Sequence, residues 1–182
     1  MSSLFVPYRP DAHGDPIAVT IRELVGADVE ACAAIATERN GGHRDAWAAA
    51  LSGGLGSPDH GGFVAVVDGD VVGYATAGWL SPHAGGGRRA PDGWYLTGLT
   101  VATGFRRRGI GRALTLARLE WLRGRASEVW YFAAATNLAS LDLHRALGFE
   151  DVTVDFEIAG VGFTGGVGVL CRLPMGGVRS GA

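Results

Sequence analysis

Between Leu99 and Arg125 the apolar positions change period. A β-branched strand end, Leu99-Thr100-Val101, gives way over Ala102–Arg108 to three consecutive arginines. Gly109-Ile110-Gly111 then opens a run in which Ile110, Ala113, Leu114, Ala117 and Trp121 fall at helical spacing. Upstream, Ala18–Leu24 alternates weakly and is rich in β-formers, predicting a first strand. Asp28 lies where the first turn of a helix favours an acid. Val29, Cys32, Ala33 and Ala36 then form a stripe that stops at Asn40-Gly41-Gly42. His43–Leu51 reads as a second short helix closed by Gly53-Gly54. Gly62–Val67 and Val71–Ala77 are β-rich runs joined by Asp68-Gly69-Asp70, a hairpin signal. Ser81–Gly93, rich in Gly, Pro and Arg, reads as a long loop. Trp94–Val101 and Glu128–Ala135 are strands flanking the helical run, which implies a right-handed parallel crossover. Thr136-Asn137 opens another helix through Leu147, stopped by Gly148, and Val152–Glu157 and Gly166–Leu173 close the pattern as strands. The fold class is α/β.

The chain has 182 residues, 47% of them hydrophobic, enough for one domain with a sizeable core. We expect that domain over residues 17–174, with a flexible leader at 1–16 and a flexible tail at 175–182. No window approaches the roughly 18 consecutive apolar residues of a membrane span. The leader also lacks the apolar stretch of a signal peptide, so the expected location is cytoplasmic. Cys32 and Cys171 are the only cysteines and lie far apart, which indicates neither a disulfide framework nor a zinc site. All sixteen basic residues are arginine, so Schiff-base catalysis and a Walker A phosphate loop, which both need lysine, are excluded. A net charge of −2 argues against a nucleic-acid surface. Positive charge is instead local, at Arg106, Arg107, Arg108 and Arg112, and suits a small anionic cofactor. Gly160-Val161-Gly162-Phe163-Thr164-Gly165 spells the dinucleotide fingerprint, but no helical pattern follows it; we read it as a turn between the last two strands.

The loop before the helical run carries chemistry. Several N–H groups at a helix start have no intrahelical partner, and the peptide dipoles place partial positive charge there. Gly109 and Gly111 remove the Cβ atoms that would keep a ligand from that backbone. Arginines add full charge and forked donors. Together these describe a pyrophosphate seat.

Arg106-x-x-Gly109-x-Gly111 after a Val-ended strand resembles the acyl-CoA signature of the GNAT superfamily of N-acyltransferases. Asn137-x-x-Ser140-x-x-Leu143-His144-x-x-x-Gly148-Phe149 resembles that family's second signature, in the right order downstream. Local structure alone also explains several of these residues: Asn137 as an N-cap, Leu143 and Leu147 as core, Gly148 as a terminator. The resemblance implies a twisted mixed sheet of about six to seven strands with about four helices, splayed open beside Trp94–Val101. It implies acetyl-CoA as cofactor and no metal. Pantetheine would pair with Leu99, Thr100 and Val101, the pyrophosphate would meet Arg106, Arg107, Arg108, Gly109, Ile110, Gly111 and Arg112, and Asn137 and Ser140 would border the cofactor. The tetrahedral oxyanion would meet a backbone N–H near Leu99. The family's frequent tyrosine, the acid for the leaving thiolate, is His144 here, which makes His144 the candidate catalytic residue.

A general base is not assigned by the sequence: Trp94–Val101 carries no carboxylate, and Asp92, His83, His43, Asp45 and a water chain stay open. Trp121 and Trp130 read as core, Trp47, Trp79 and Trp94 as candidate pocket walls. The expected activity is acetyl transfer to a primary amine of a small molecule. A protein N-terminal or lysine acetyltransferase and a non-catalytic acyl-CoA-binding module are the alternatives. The expected partner is the small amine, with no nucleic acid and no membrane; a homodimer is left open.

Overall fold

The computed structural model of the chain describes residues 14, 15, 17–82 and 88–176. Most of the expected leader, His83 and the end of the expected tail lie outside the described residues. Among the described residues the elements are β1 (Thr20–Glu23), α1 (Val29–Asn40), α2 (Arg44–Gly53), β2 (His60–Val67), β3 (Asp70–Leu80), β4 (Gly93–Val101), α3 (Ile110–Leu122), β5 (Glu128–Ala134), α4 (Leu138–Arg145), β6 (Glu150–Thr153) and β7 (Gly168–Pro174). The strands form one seven-stranded sheet in the order β1-β2-β3-β4-β5-β7-β6. β4 and β5 run parallel, while β1 with β2, β5 with β7 and β6 with β7 run antiparallel. The sheet is therefore mixed, as the resemblance implied. Among the described residues no helix is long and apolar enough to cross a membrane.

The described residues form two compact units. One comprises the chain up to Ala77 with Thr97–Trp121; the other comprises Gly78–Leu96 and the chain from Leu122 onward. In the first unit, the apolar stripe of α1 is buried as its spacing demands: Val29, Cys32, Ala33, Ile35 and Ala36 all leave water. Cys32 and Val29 pack with Leu51, Val64 and Tyr74, and Trp47 lies against the same cluster with its indole N–H on the Gly41 carbonyl at 2.8 Å. Trp47 is thus a packing residue, not a pocket wall. The β2–β3 hairpin turns on Asp68 and Gly69, both at positive φ (51° and 93°), the requirement of a type I′ turn. A second cluster joins Phe63, Ala65, Val72 and Ala75 to Ile110 and Leu114 of α3, with Ala117 and Trp121 partly buried against it. The Trp121 ring lies over Gly61, where a Cβ would sit 2.9 Å from it.

In the second unit β5 is apolar on both faces. Val129, Trp130 and Tyr131 are buried in succession, the pattern of a strand covered on two sides. β5 pairs with β7 over seven residues, from Glu128↔Pro174 to Ala134↔Gly168. Its ladder with β4 is three pairs long, from Trp94↔Val129 to Leu96↔Tyr131. Tyr95, Trp130, Phe156, Ile158 and Leu170 make this unit's core. Arg88 reaches both Asp155 (2.8 Å) and Glu157 (2.9 Å), and the Ala90 N–H donates to the Glu157 carbonyl.

Several boundaries differ from expectation; β3, for one, runs on to Leu80 rather than Ala77. β6 is Glu150–Thr153, not Val152–Glu157: Phe156 and Ile158 turn into the core while Asp155 and Glu157 turn to Arg88. Helix α4 ends at Arg145, not Leu147, because the chain tightens there into i→i−3 bonds from Leu147 to His144 and from Gly148 to Arg145. The Gly160–Gly165 stretch forms turns with Phe163 stacked edge-on to Phe132 and Phe156, and a strand follows it; the fingerprint is fortuitous.

Burial raises both cysteine thiols to about 12, so neither is a thiolate nucleophile at neutral pH. The entry to α1 is fastened by Asp28, which accepts two bonds from Arg22 (2.6 and 2.8 Å) and one from the Val25 N–H (3.0 Å). The Arg22 bonds hold the Asp28 carboxyl below the usual carboxylate range. A lowered folded-state pKa means stability that is present above the unfolded value, about 3.9, and lost as pH falls through the folded one. Asp28→Ala should cost about 2 kcal/mol at pH 7 in denaturant unfolding, because it leaves the Val25 N–H without its acceptor. The deficit should shrink as pH is lowered below about 4.

Candidate active site

In the first unit β4 ends at Val101, and a short turn over Thr103–Phe105 leads to the arginines. Two residues of this loop sit at positive φ, Arg107 at 63° and Gly109 at 83°. Left-handed residues turn the chain sharply ahead of α3, as loops that form anion-binding nests do. The first helical bond of α3 runs from the Ala113 N–H to the Gly109 carbonyl at 3.0 Å. The N–H groups of Gly109, Ile110, Gly111 and Arg112 therefore precede it. A Cβ on Gly109 would meet nothing within 4 Å, so the space over this backbone is open.

The arginines divide their work. Arg106 turns back and donates from Nε to the Val101 carbonyl at 3.0 Å, closing the loop onto the strand end. Burial, with Arg39 nearby, lowers its pKa from the ordinary value and Glu38 partly offsets this; it remains a cation. Arg107, Arg108 and Arg112 are exposed. The Arg107 carbonyl accepts from the Gly14 N–H at 3.0 Å. Such an arrangement can hold a phosphate group by main-chain donors, with exposed guanidinium groups adding charge. Thr100 is buried, with Leu99 and Val101 partly so.

The second motif lies in the other unit. Asn137 occupies the N-cap of α4, yet its side chain makes no capping bond. Leu141 and His144 are the buried residues of the helix, with Phe149 just beyond, whereas Leu143 and Leu147 are only half-buried. His144 is 1% exposed. Its ring stacks face to face on Tyr131 at 3.6 Å and meets Phe149 edge-on at 5.4 Å. Its Nδ1 lies 2.8 Å from the Ser140 carbonyl oxygen. A carbonyl only accepts, so this contact assigns the proton to Nδ1 and leaves Nε2 of the neutral ring as an acceptor. Tyr131 donates its hydroxyl to Ser140 Oγ at 2.6 Å.

Of the candidate bases, His43 and Asp45 are exposed at the start of α2 in the first unit. Asp92 precedes β4 in the second unit and lies 3.9 Å from Arg89. Trp121 is half-buried and Trp130 buried, as expected of core residues. Trp79 is 48% exposed and meets Trp94 edge-on at 5.7 Å, an aromatic pair where β3 ends and β4 begins.

Two residues escaped the sequence reading. Tyr131 was hidden in an apolar run, where a tyrosine reads as core. Arg118 had a usable signal: Ile110, Leu114, Arg118 and Leu122 stand four apart and all four are buried. An arginine in the middle of such a line must find polar partners inside the protein.

These features can be set against known proteins. The model of the Acetyltransferase (GNAT) family matches residues 29–149. The N-alpha-acetyltransferase RimI of Mycobacterium tuberculosis is 33% identical over 135 residues, 74% of this chain and 80% of that protein. An aminoglycoside N(6')-acetyltransferase type 1 of Klebsiella aerogenes is 33% identical over 115 residues, 60% of this chain and 72% of its own length. The crystal structure of the ribosomal-protein-alanine N-acetyltransferase from Brucella melitensis is 26% identical, with a TM-score of 0.65, covering 85% of this chain and 99% of that one. The family match takes in both signatures together with α1 through α4, and the chain belongs to the GNAT family of acetyltransferases, as an acetyl-CoA-dependent N-acetyltransferase.

Proposed function

We propose that the acceptor is a primary amine of a small, cationic molecule, and that the amine attacks acetyl-CoA directly in a ternary complex. The observation that carries the choice of acceptor is the Trp79–Trp94 pair, in which the half-exposed Trp79 adds aromatic surface of the kind that suits an ammonium group. The aminoglycoside-acetylating relative supports the same choice. A protein N-terminus as acceptor is the second reading, favoured by the wider match to RimI.

In the proposed reaction the neutral amine forms a bond to the acetyl carbon while the carbonyl π electrons move onto oxygen. Collapse of that oxyanion breaks the C–S bond, and the amine's proton is balanced by one delivered to the departing thiolate. Acyl-donor binding is assigned to the loop: main-chain N–H groups from Arg107 to Arg112 meet the pyrophosphate, Arg106 holds the loop closed, and Leu99, Thr100 and Val101 hold the pantetheine arm. Asn137 and Ser140 border the cofactor. His144 is the proposed acid for the thiolate. Because its Nδ1–H is engaged by Ser140, donation from Nε2 requires the imidazolium. The face of Tyr131 favours that cation, and burial works against it. The catalytic domain spans residues 17–174.

Thiol release from acetyl-CoA should separate the readings when aminoglycosides, polyamines, amino acids and short peptides are offered in turn. Turnover confined to peptides would transfer the assignment to the second reading. Gly111→Glu should abolish turnover and calorimetric CoA binding in a folded protein, by steric block and repulsion of phosphate.

Asn137→Ala offers a clean test, since the side chain makes no capping bond to lose. Its melting temperature should stay near that of the wild type, against the roughly 0.5–2 kcal/mol of a true cap. The KM for acetyl-CoA should rise. An unchanged KM would remove Asn137 from the site.

His144→Phe should lower kcat on the order of 10²-fold with little change in KM. In the wild type, kcat should fall as pH rises through the imidazole range, about 6.5 when unperturbed. A His144→Phe enzyme with ordinary kcat and pH profile would mark the ring as packing for Tyr131.

A further inference from the structure

Main-chain groups at the end of β4 are sorted between its two edges. The Gly98 N–H donates to Thr76 Oγ1 of β3 at 3.0 Å, and the Ala102 N–H donates to the Val72 carbonyl at 2.8 Å. Both therefore point to the β3 side. Thr76 Oγ1 also lies 2.7 Å from Thr97 Oγ1. Glycine gives Thr76 room here, because a Cβ at Gly98 would sit 3.2 Å from its hydroxyl, tighter than ordinary contact.

The Gly98 carbonyl belongs to the same peptide unit as the Leu99 N–H. No peptide among the described residues is cis, so the two point in opposite directions. That carbonyl accepts from Arg118 Nη1 at 3.4 Å, and the same nitrogen donates to the Thr76 carbonyl at 3.2 Å. Arg118 Nη2 donates to Thr115 Oγ1 at 2.8 Å, and the Thr115 hydroxyl in turn donates to the Gly111 carbonyl at 2.8 Å. Arg118 is 1% exposed. A guanidinium keeps its proton under all ordinary conditions, and away from water its field is weakly screened. A cation on a carbonyl oxygen draws electron density through the amide and makes the N–H at the other end a stronger donor.

We propose that Arg118 is a positioning residue for acetyl transfer: it fixes the plane of the Gly98–Leu99 peptide and polarises it, so that the Leu99 N–H meets the thioester oxygen as charge develops there. This rests on the assignment of Leu99 to the acyl-donor site made above. The donor touching substrate is Leu99, and Arg118 acts through it. The chain of bonds from Gly111 through Thr115 to Arg118 also ties the start of α3 to the strand that carries this donor.

The test is isotope-edited infrared spectroscopy of acetyl-CoA labelled with 13C at the thioester carbonyl, bound to the full-length protein, alongside steady-state kinetics. In Arg118→Met the carbonyl stretch should move up towards the free thioester. Its kcat should fall about tenfold, less than the 10²–10³ for losing a whole oxyanion donor. KM for acetyl-CoA and calorimetric affinity for CoA should hold. Arg118→Lys, which keeps the charge, should lie between Arg118→Met and the wild type in both readouts. Should Arg118→Met fail to fold, Thr115→Val replaces the hydroxyl that anchors Nη2 with a methyl group of similar size, and a smaller shift in the same direction is expected. Folded variants with an unmoved stretch overturn the inference, whatever happens to kcat. If the wild type shows no bound thioester band, the acyl-donor assignment falls and takes the inference with it.

Discussion

A strand can satisfy its main chain by a ladder only as far as the ladder runs. The β4–β5 ladder stops after three pairs, at Leu96↔Tyr131, while β4 continues to Val101. Beyond Leu96 side chains meet several peptide groups of β4: on the β3 edge the Gly98 N–H meets a threonine hydroxyl and the Gly98 carbonyl a guanidinium, and on the edge that β5 has left the Val101 carbonyl meets Arg106. Each of those side chains comes from α3, from the loop before it, or from β3. That is why the segment around α3 is built as it is. Arg106 closes the loop, Arg118 binds carbonyls of β3 and β4, and the glycine at 109 lets the backbone turn between them.

The all-arginine basic set is used accordingly. A guanidinium presents several donors in one plane, so one side chain can bridge two acceptors. Arg22 spans both oxygens of Asp28, Arg88 spans Asp155 and Glu157, and Arg118 spans two carbonyls and a hydroxyl. The exposed pairs contribute little stability individually, since water screens them and the long side chains lose entropy. Arg118 is different in kind: buried, it must be satisfied by the fold, and it constrains the peptide groups that satisfy it.

In the second motif, helix α4 begins at Leu138, so its inward line runs through Leu141 and His144 and brings the imidazole onto the Tyr131 ring. This packing assigns the tautomer, because Nδ1 faces a carbonyl oxygen one turn back. One contact thus sets both the orientation of the ring and the form in which it can give up a proton.

By itself the sequence determined what depends on neighbours within about four residues. The change of period at Leu99–Ile110, the Asp68-Gly69 turn, the stripe of α1 and the spacing of both signatures were all legible, because helical and strand periods are local geometry. From those came the seven strands, the four helices and the family. Tertiary structure decided the rest. Arg118 could be seen on the buried line of α3, but its acceptors lie 20 and 42 residues away and no spacing encodes them. Asn137 has the chemistry of a cap, yet its side chain does not make that bond. The bend of Phe156 into the core shortened β6, and the Tyr131 ring gave His144 its setting. Those outcomes turn on which surfaces meet across the fold, and buried polar groups take whatever partners that packing supplies.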